Sequence, residues 1–197
     1  MELVIASNNK NKIREIREIL DNFFEVVYSL DDLKISTEII EDGKTFFDNA
    51  LIKAKAISKL TNMVVLADDS GLCVEALNNQ PGVYSARYSG EHNDEKNMEL
   101  LLENMKGIKN RNACFVSSIV LYYPNDSYVT TEGYTYGRIL EQKEGTKGFG
   151  YDPIFFSNDL NMSFGIADSK DKNAVSHRGR ALRELEYKLE KDNYYLI

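Results

Sequence analysis

The run Glu-Leu-Val-Ile-Ala-Ser at 2–7, passing through Asn8–Asn11 into KIREIREIL at 12–20, decides the fold class. ELVIAS is a short apolar stretch that reads as a buried strand. In KIREIREIL, Ile13, Ile16, Ile19 and Leu20 recur at helical spacing. A strand, a polar turn and an amphipathic helix make the start of a β-α unit.

Outward from it, FEVVYSL at 24–30 returns as a second strand. Thr45 with Asp48 forms a helix-start signature, and the helix follows through Phe47, Ala50, Leu51, Ala54 and Ile57. MVVLAD at 63–68 and LCVEAL at 72–77 read as two strands flanking a polar DDSG turn, and Gln80-Pro81-Gly82 reads as a further turn. Asp94–Met105 is predicted helical, with Gly107 as its stop. The β-branched and aromatic stretches 113–123 and 128–135, joined by Pro124–Ser127, predict a hairpin, after which Gly133 and Gly137 punctuate a further strand pair. A Gly-rich loop at 145–150 precedes 151–156, and a last helix from Ser176 aligns Ala181, Leu182, Leu185 and Leu189. Neither β-α units nor hairpins alone describe this order. The predicted class is mixed α/β: a mixed sheet flanked by helices, with an antiparallel lobe.

With 197 residues, one domain, or one domain with a lobe, is expected. A hydrophobic share of 43% beside a charged share of 28% fits a globular chain, not a disordered one. No apolar run approaches the ~18 residues of a membrane span, and MELVIASNN lacks the marks of a signal peptide. Cys73 and Cys114 lie in strand-like runs without metal-ligand spacing and are expected as small buried hydrophobes of a reducing compartment, so the expected location is cytoplasmic. A net charge of -7 argues against a nucleic-acid binder.

Four clusters could carry chemistry. Ser7, Asn8, Asn9, Lys10, Asn11 and Lys12 stand at a helix start, where unpaired N–H groups suit a phosphate, although a solvated cap is the plainer reading. Glu41-Asp42-Gly43 precedes a helix bearing Lys53 on the flank of its apolar face; a turn and a lysine extended toward water would explain both. Asp68 and Asp69, directly after an apolar strand and followed by Ser70, need a positive neighbour. A hard divalent cation such as Mg²⁺ would serve, and a polar turn between strands is the alternative. In the C-terminal half, Phe149 between two glycines could present a stacking ring or tuck into the core. Gly150, Tyr151, Asp152, Lys172, His177 and Arg178 accompany it. With two histidines in the chain, a histidine metal site is not expected.

These segments also resemble a known family. SNNKNK at 7–12, EDGKTFFDNALIKA at 41–54, ADDSGLCVEAL at 67–77, PGVYSARYSG at 81–90, GFGYDPIF at 148–155 and KNAVSHRGRAL at 172–182 stand in the order of the inosine-triphosphate pyrophosphatase family, over essentially the whole chain. Asn79 stands where that family more usually has glycine. The resemblance implies a long mixed sheet forming two lobes around a nucleotide cleft, a homodimer, and Mg²⁺-dependent release of pyrophosphate from ITP, dITP and XTP. By the same resemblance, Ser7, Asn9 and Lys12 hold the triphosphate, Glu41 and Asp69 hold the metal, and Asp69 is the general base with Asp68 close by. Lys53 and Lys172 correspond to phosphate-binding lysines, and Ser70 to a substrate contact. Phe149, Gly150, Tyr151 and Asp152 correspond to the base-binding loop, with His177 and Arg178 as the base-reading pair. The competing readings are a Maf-like enzyme acting on pyrimidine or modified nucleotides, a nucleotide sensor without catalysis, and a single-strand nucleic-acid module that the charge disfavours.

Overall fold

Strand β1 (Glu2–Ile5) and helix α1 (Lys10–Ile19) are the β-α start read from the sequence. Asn9 caps α1: its side chain accepts the backbone N–H groups of Asn11 and Lys12. The computed structural model describes residues 2–20 and 23–191. The elements that follow are β2 (Val26–Ser29), α2 (Phe46–Thr61), β3 (Val64–Val74), β4 (Gln80–Pro81) and α3 (Asp94–Asn104). They continue as β5 (Asn112–Tyr122), β6 (Tyr128–Ile139), β7 (Phe155–Ser157), β8 (Met162–Ser163), α4 (Ser169–Val175) and α5 (His177–Lys191). Thr45 and Asp48 close the expected capping box at the start of α2, each accepting the other's backbone N–H.

The strands form one mixed 8-stranded sheet in the order β2-β1-β3-β5-β6-β7-β8, with β4 against β3. β1 runs parallel to β2 and β3, with Ile5 opposite Ser29 and Leu66; β6–β7 and β7–β8 are antiparallel. No helix among the described residues is long and apolar enough to cross a membrane.

Packing divides the described chain into two units. The first takes the chain up to Asp69, Ser117–Gly133, and the chain from Arg178; the second takes Ser70–Val116 and Tyr134–His177. In the first unit, Leu3, Ile5 and Leu66 meet Ile13 and Ile16 of α1 and Leu182 and Leu185 of α5 on one side of the sheet. Val4, Ala6 and Ala67 meet Ala50, Ala54 and Ile57 of α2 on the other. In the second unit, Leu72, Val74, Phe115, Phe155 and Phe164 pack with Met98 and Leu101 of α3.

Five expectations change. Gln80 and Pro81, read as part of a turn, pair as strand β4 with Val74 and Cys73. DDSG is not a turn: β3 continues unbroken through it, so Asp68 and Asp69 are mid-strand. Of LCVEAL, only 72–74 are strand, and Glu75–Leu77 make a 3-10 turn. Gly133 and Gly137 lie inside a single strand, β6, rather than between two. A Cβ at Gly137 would come 2.2 Å from the Phe156 carbonyl oxygen, so glycine there is a close-approach residue, not a break. Cys73 and Cys114 are half-buried free thiols, not core residues. Helix α4 has no counterpart in the sequence reading, and Asn79 takes the left-handed backbone (φ 62°) that suits the glycine it replaces.

Candidate active site

Successive side chains of a strand face opposite ways, and β3 uses this to separate its two carboxylates. Asp68 is 1% exposed. It accepts Ser117 Oγ at 2.5 Å, Lys12 Nζ at 2.9 Å, and Arg178 Nη2 and Nε at 3.2 and 3.4 Å. Burial opposes its ionisation, but the Arg178 and Lys12 charges and the Ser117 hydroxyl hold its carboxyl well below the usual carboxylate range. Arg178, also 1% exposed, donates Nη1 to the buried Glu15 as well. Burial works against its charge, and Asp68 and Glu15 more than restore it.

Asp69 faces a different set. Its Oδ2 accepts Asn49 Nδ2 at 3.1 Å, and its Oδ1 lies 3.8 Å from Lys53 Nζ. Burial pushes its carboxyl up; Lys53, Lys12 and Asn49 only partly offset this, and the neighbouring Asp68 charge adds to it. Lys53 Nζ also pairs with Glu41 Oε2 at 3.0 Å and donates to the Asp68 carbonyl at 3.0 Å. At the start of α1, Ser7 Oγ accepts the Asn9 N–H at 3.1 Å; Asn8 and Lys10 are exposed, and Asn11 is half-exposed.

The second unit carries the other expected residues. Asp152, 2% exposed, accepts the Phe149 N–H at 2.9 Å and Lys172 Nζ at 2.6 Å. The Lys172 ammonium stands 4.8 Å from the centre of the half-buried Phe149 ring. The Gly150 N–H goes to Asp94 Oδ2 at 2.9 Å. Tyr151 is buried and donates its hydroxyl to the Ser85 carbonyl at 2.7 Å; burial, then Tyr88 and Asp94, push its phenol up. His177 stacks on Phe115, centroids 4.8 Å apart and planes 13° off parallel. Ser70 lies half-buried in β3.

A match to the Ham1 family model runs over residues 3–188. The chain belongs to the Ham1 family. The dITP/XTP pyrophosphatase of Clostridium perfringens is 46% identical to it, with 94% of this chain and 95% of that protein covered. The protein of the same name from Leuconostoc mesenteroides is 45% identical, with 96% of each covered. Among solved structures, the Staphylococcus aureus Ham1 protein superposes with a TM-score of 0.87 at 39% identity, over 98% of this chain and 100% of that one. A HAM1 protein from Coxiella burnetii gives 0.87 at 37%, over 97% and 99%.

In this Ham1-family chain two of the expected residues have ion-pair partners that the sequence reading did not give. Arg178, expected to read a base, has its guanidinium on Glu15 and Asp68. Lys172, expected among the phosphate lysines, is paired with Asp152 beside Phe149. Glu15, Asn49 and Ser117 in the first unit, and Ser85 and Asp94 in the second, contact expected residues without being among them. Ser85 lies inside the PGVYSARYSG segment, and Asn49 directly follows the capping Asp48; nothing local marks the other three.

The residues fit a hard cation. Glu41 and Asp69 turn two carboxylate oxygens toward one positive point, the Lys53 ammonium. Mg²⁺ takes one or two carboxylates together with substrate phosphates. Among the described residues no group of three or more His, Cys, Asp or Glu side chains is gathered as an all-protein metal cage.

Proposed function

We propose that this chain hydrolyses non-canonical purine nucleoside triphosphates (dITP, XTP and ITP) to the monophosphate and pyrophosphate, with Mg²⁺ as cofactor. The observation that carries the reading is the near-full-length similarity to proteins named dITP/XTP pyrophosphatase. The grouping of Glu41, Lys53 and Asp69 supports it.

Hydrolysis at the α-phosphorus needs a proton acceptor for water and positive charge for the departing pyrophosphate. Asp69 is suited to the first. Burial raises its proton affinity, while Asp68, held ionised by Arg178 and Lys12, is a poor acceptor and serves to anchor those cations. Lys53 and Lys12 are suited to the second, and the capped start of α1 adds a partial positive charge near Ser7 and Asn9. Glu41 and Asp69 would hold the metal, which when bound supplies Lewis-acid polarisation of phosphoryl oxygens.

Base choice is assigned to the Phe149 loop. The ring offers a stacking face, and the Lys172 ammonium beside it donates to the carbonyl at C6 of hypoxanthine or xanthine. Adenine presents an amino group there and would face that donor with another donor. His177 and Ser70 are further contacts in this reading. A second copy of the chain is the proposed partner, and intracellular nucleotide substrates support a cytoplasmic location.

Pyrophosphate release from dITP, XTP, ITP, ATP, GTP and dTTP, each with Mg²⁺ and with EDTA, tests the reading. Metal-dependent turnover of the first three above ATP and GTP is the expected result. Turnover of dTTP instead would favour the pyrimidine reading, and binding without turnover a sensor. Light scattering on the eluted protein tests the dimer.

A further inference from the structure

We propose that Asn49 is a positioning residue for Asp69, tying it to the backbone of the 41–43 segment; this rests on the general-base reading above. Asn49 is 2% exposed on the first turn of α2. Its Oδ1 accepts the Gly43 N–H at 2.9 Å, and its Nδ2 donates to Asp69 Oδ2 at 3.1 Å. The two bonds orient the carboxamide uniquely, because a flipped amide would set its carbonyl against the carboxylate and its NH₂ against an N–H. A Cβ at Gly43 would come 2.6 Å from Asn49 Oδ1, so a side chain there would displace the amide. Glu41, two residues earlier, and Asp69 are thus referenced to one buried side chain, and both approach Lys53. With Oδ2 held by Asn49, rotation of the Asp69 carboxylate is stopped and Oδ1 is left turned toward the lysine.

A side chain that only fills space would affect stability but not separate kcat from KM. Asn49→Ala is expected to lower kcat for dITP by about 10²-fold, the effect of displacing a reacting group by ~1 Å. KM, measured at saturating Mg²⁺ so that metal binding does not limit it, is expected to rise far less than kcat falls, because the lysines and the Phe149 loop that hold the nucleotide in this reading do not contact Asn49. Unchanged kcat, or a KM that rises as much as kcat falls, would overturn the proposal. The pairing itself is read by exchange. Asn49→Asp alone sets two carboxylates face to face and lowers Tm. Adding Asp69→Asn puts the amide on β3 and the carboxylate on α2, so the hydrogen bond re-forms with donor and acceptor exchanged. The double variant therefore recovers Tm toward wild type while remaining inactive. A double variant as unstable as Asn49→Asp alone would also overturn the proposal. The calorimetric result holds whether or not wild type hydrolyses dITP. Failure of wild type in the turnover assay would count against the function, and failure of the exchange against the pairing.

Discussion

Asp68 and Asp69 are consecutive on β3, yet the first is held ionised by Arg178 and Lys12 while burial leaves the second with a raised proton affinity. One strand thereby gives the same residue type two opposite proton affinities, because the alternation of side chains sends the two carboxylates to different neighbours.

For Asp68, the consequence is pH-dependent stability. Its folded-state affinity for protons lies well below that of an unfolded aspartate, near ~3.9. The contribution is therefore fully present above the unfolded value and is lost as pH falls through the lower, folded one. Asp68→Asn is expected to cost roughly 3–5 kcal/mol at neutral pH, as removal of one partner from a buried ion pair does. Its Tm should also fall less steeply than that of wild type on acidification below about pH 4. Calorimetry at several pH values checks both; a variant as stable as wild type would mean that Arg178 and Lys12 do not depend on this carboxylate.

For Asp69, the expected outcome is loss of turnover with the fold retained. Asp69→Asn keeps an oxygen able to accept from Asn49, so little change in Tm is expected. A positioned general base is worth about 10²–10⁴-fold in rate, and pyrophosphate release should fall by at least that. Substantial remaining activity would rule out the base role.

What the sequence shows and what it hides divide by range. β1, α1, the capping box of α2, α3, α5 and the β5–β6 hairpin rest on local periodicity and capping, and all are readable. The continuity of β3 through DDSG is not, because two carboxylates and a glycine look like a turn until their partners are known. Those partners are far away in the chain: Ser117 is 49 residues from Asp68, and Arg178 is 110. The resemblance names Asp69, Lys53 and Phe149 without indicating what holds them. Asn49 holds Asp69, and Asp94 holds the loop beside Phe149, through single hydrogen bonds that leave no periodic trace.

Phe149 carries the base-site expectation. Its ring is half-buried, with the Lys172 ammonium over it. Removing a stacking ring costs ~1–3 kcal/mol of binding. Phe149→Ala is therefore expected to raise KM for dITP and XTP by about tenfold or more while changing kcat less. Steady-state kinetics with both substrates checks this. An unchanged KM would assign Phe149 to packing.

The two glycines beside that ring separate strain from displacement. Both have left-handed backbone, φ +75° at Gly148 and +59° at Gly150, which costs an ordinary residue roughly 1–2 kcal/mol. At Gly150 nothing lies within 4 Å of an added Cβ, so Gly150→Ala should lose only that much stability. At Gly148 the added carbon would sit 2.1 Å from Asp152 Oδ2 and 2.8 Å from its Cβ. Gly148→Ala must push Asp152 away, which removes the acceptor of the Phe149 N–H and the partner of Lys172 together. Gly148→Ala is thus expected to raise KM for dITP more than Gly150→Ala does, and to lose more in Tm. Equal effects at the two positions would show that backbone strain alone sets the cost and that the Asp152 contacts do not hold the loop.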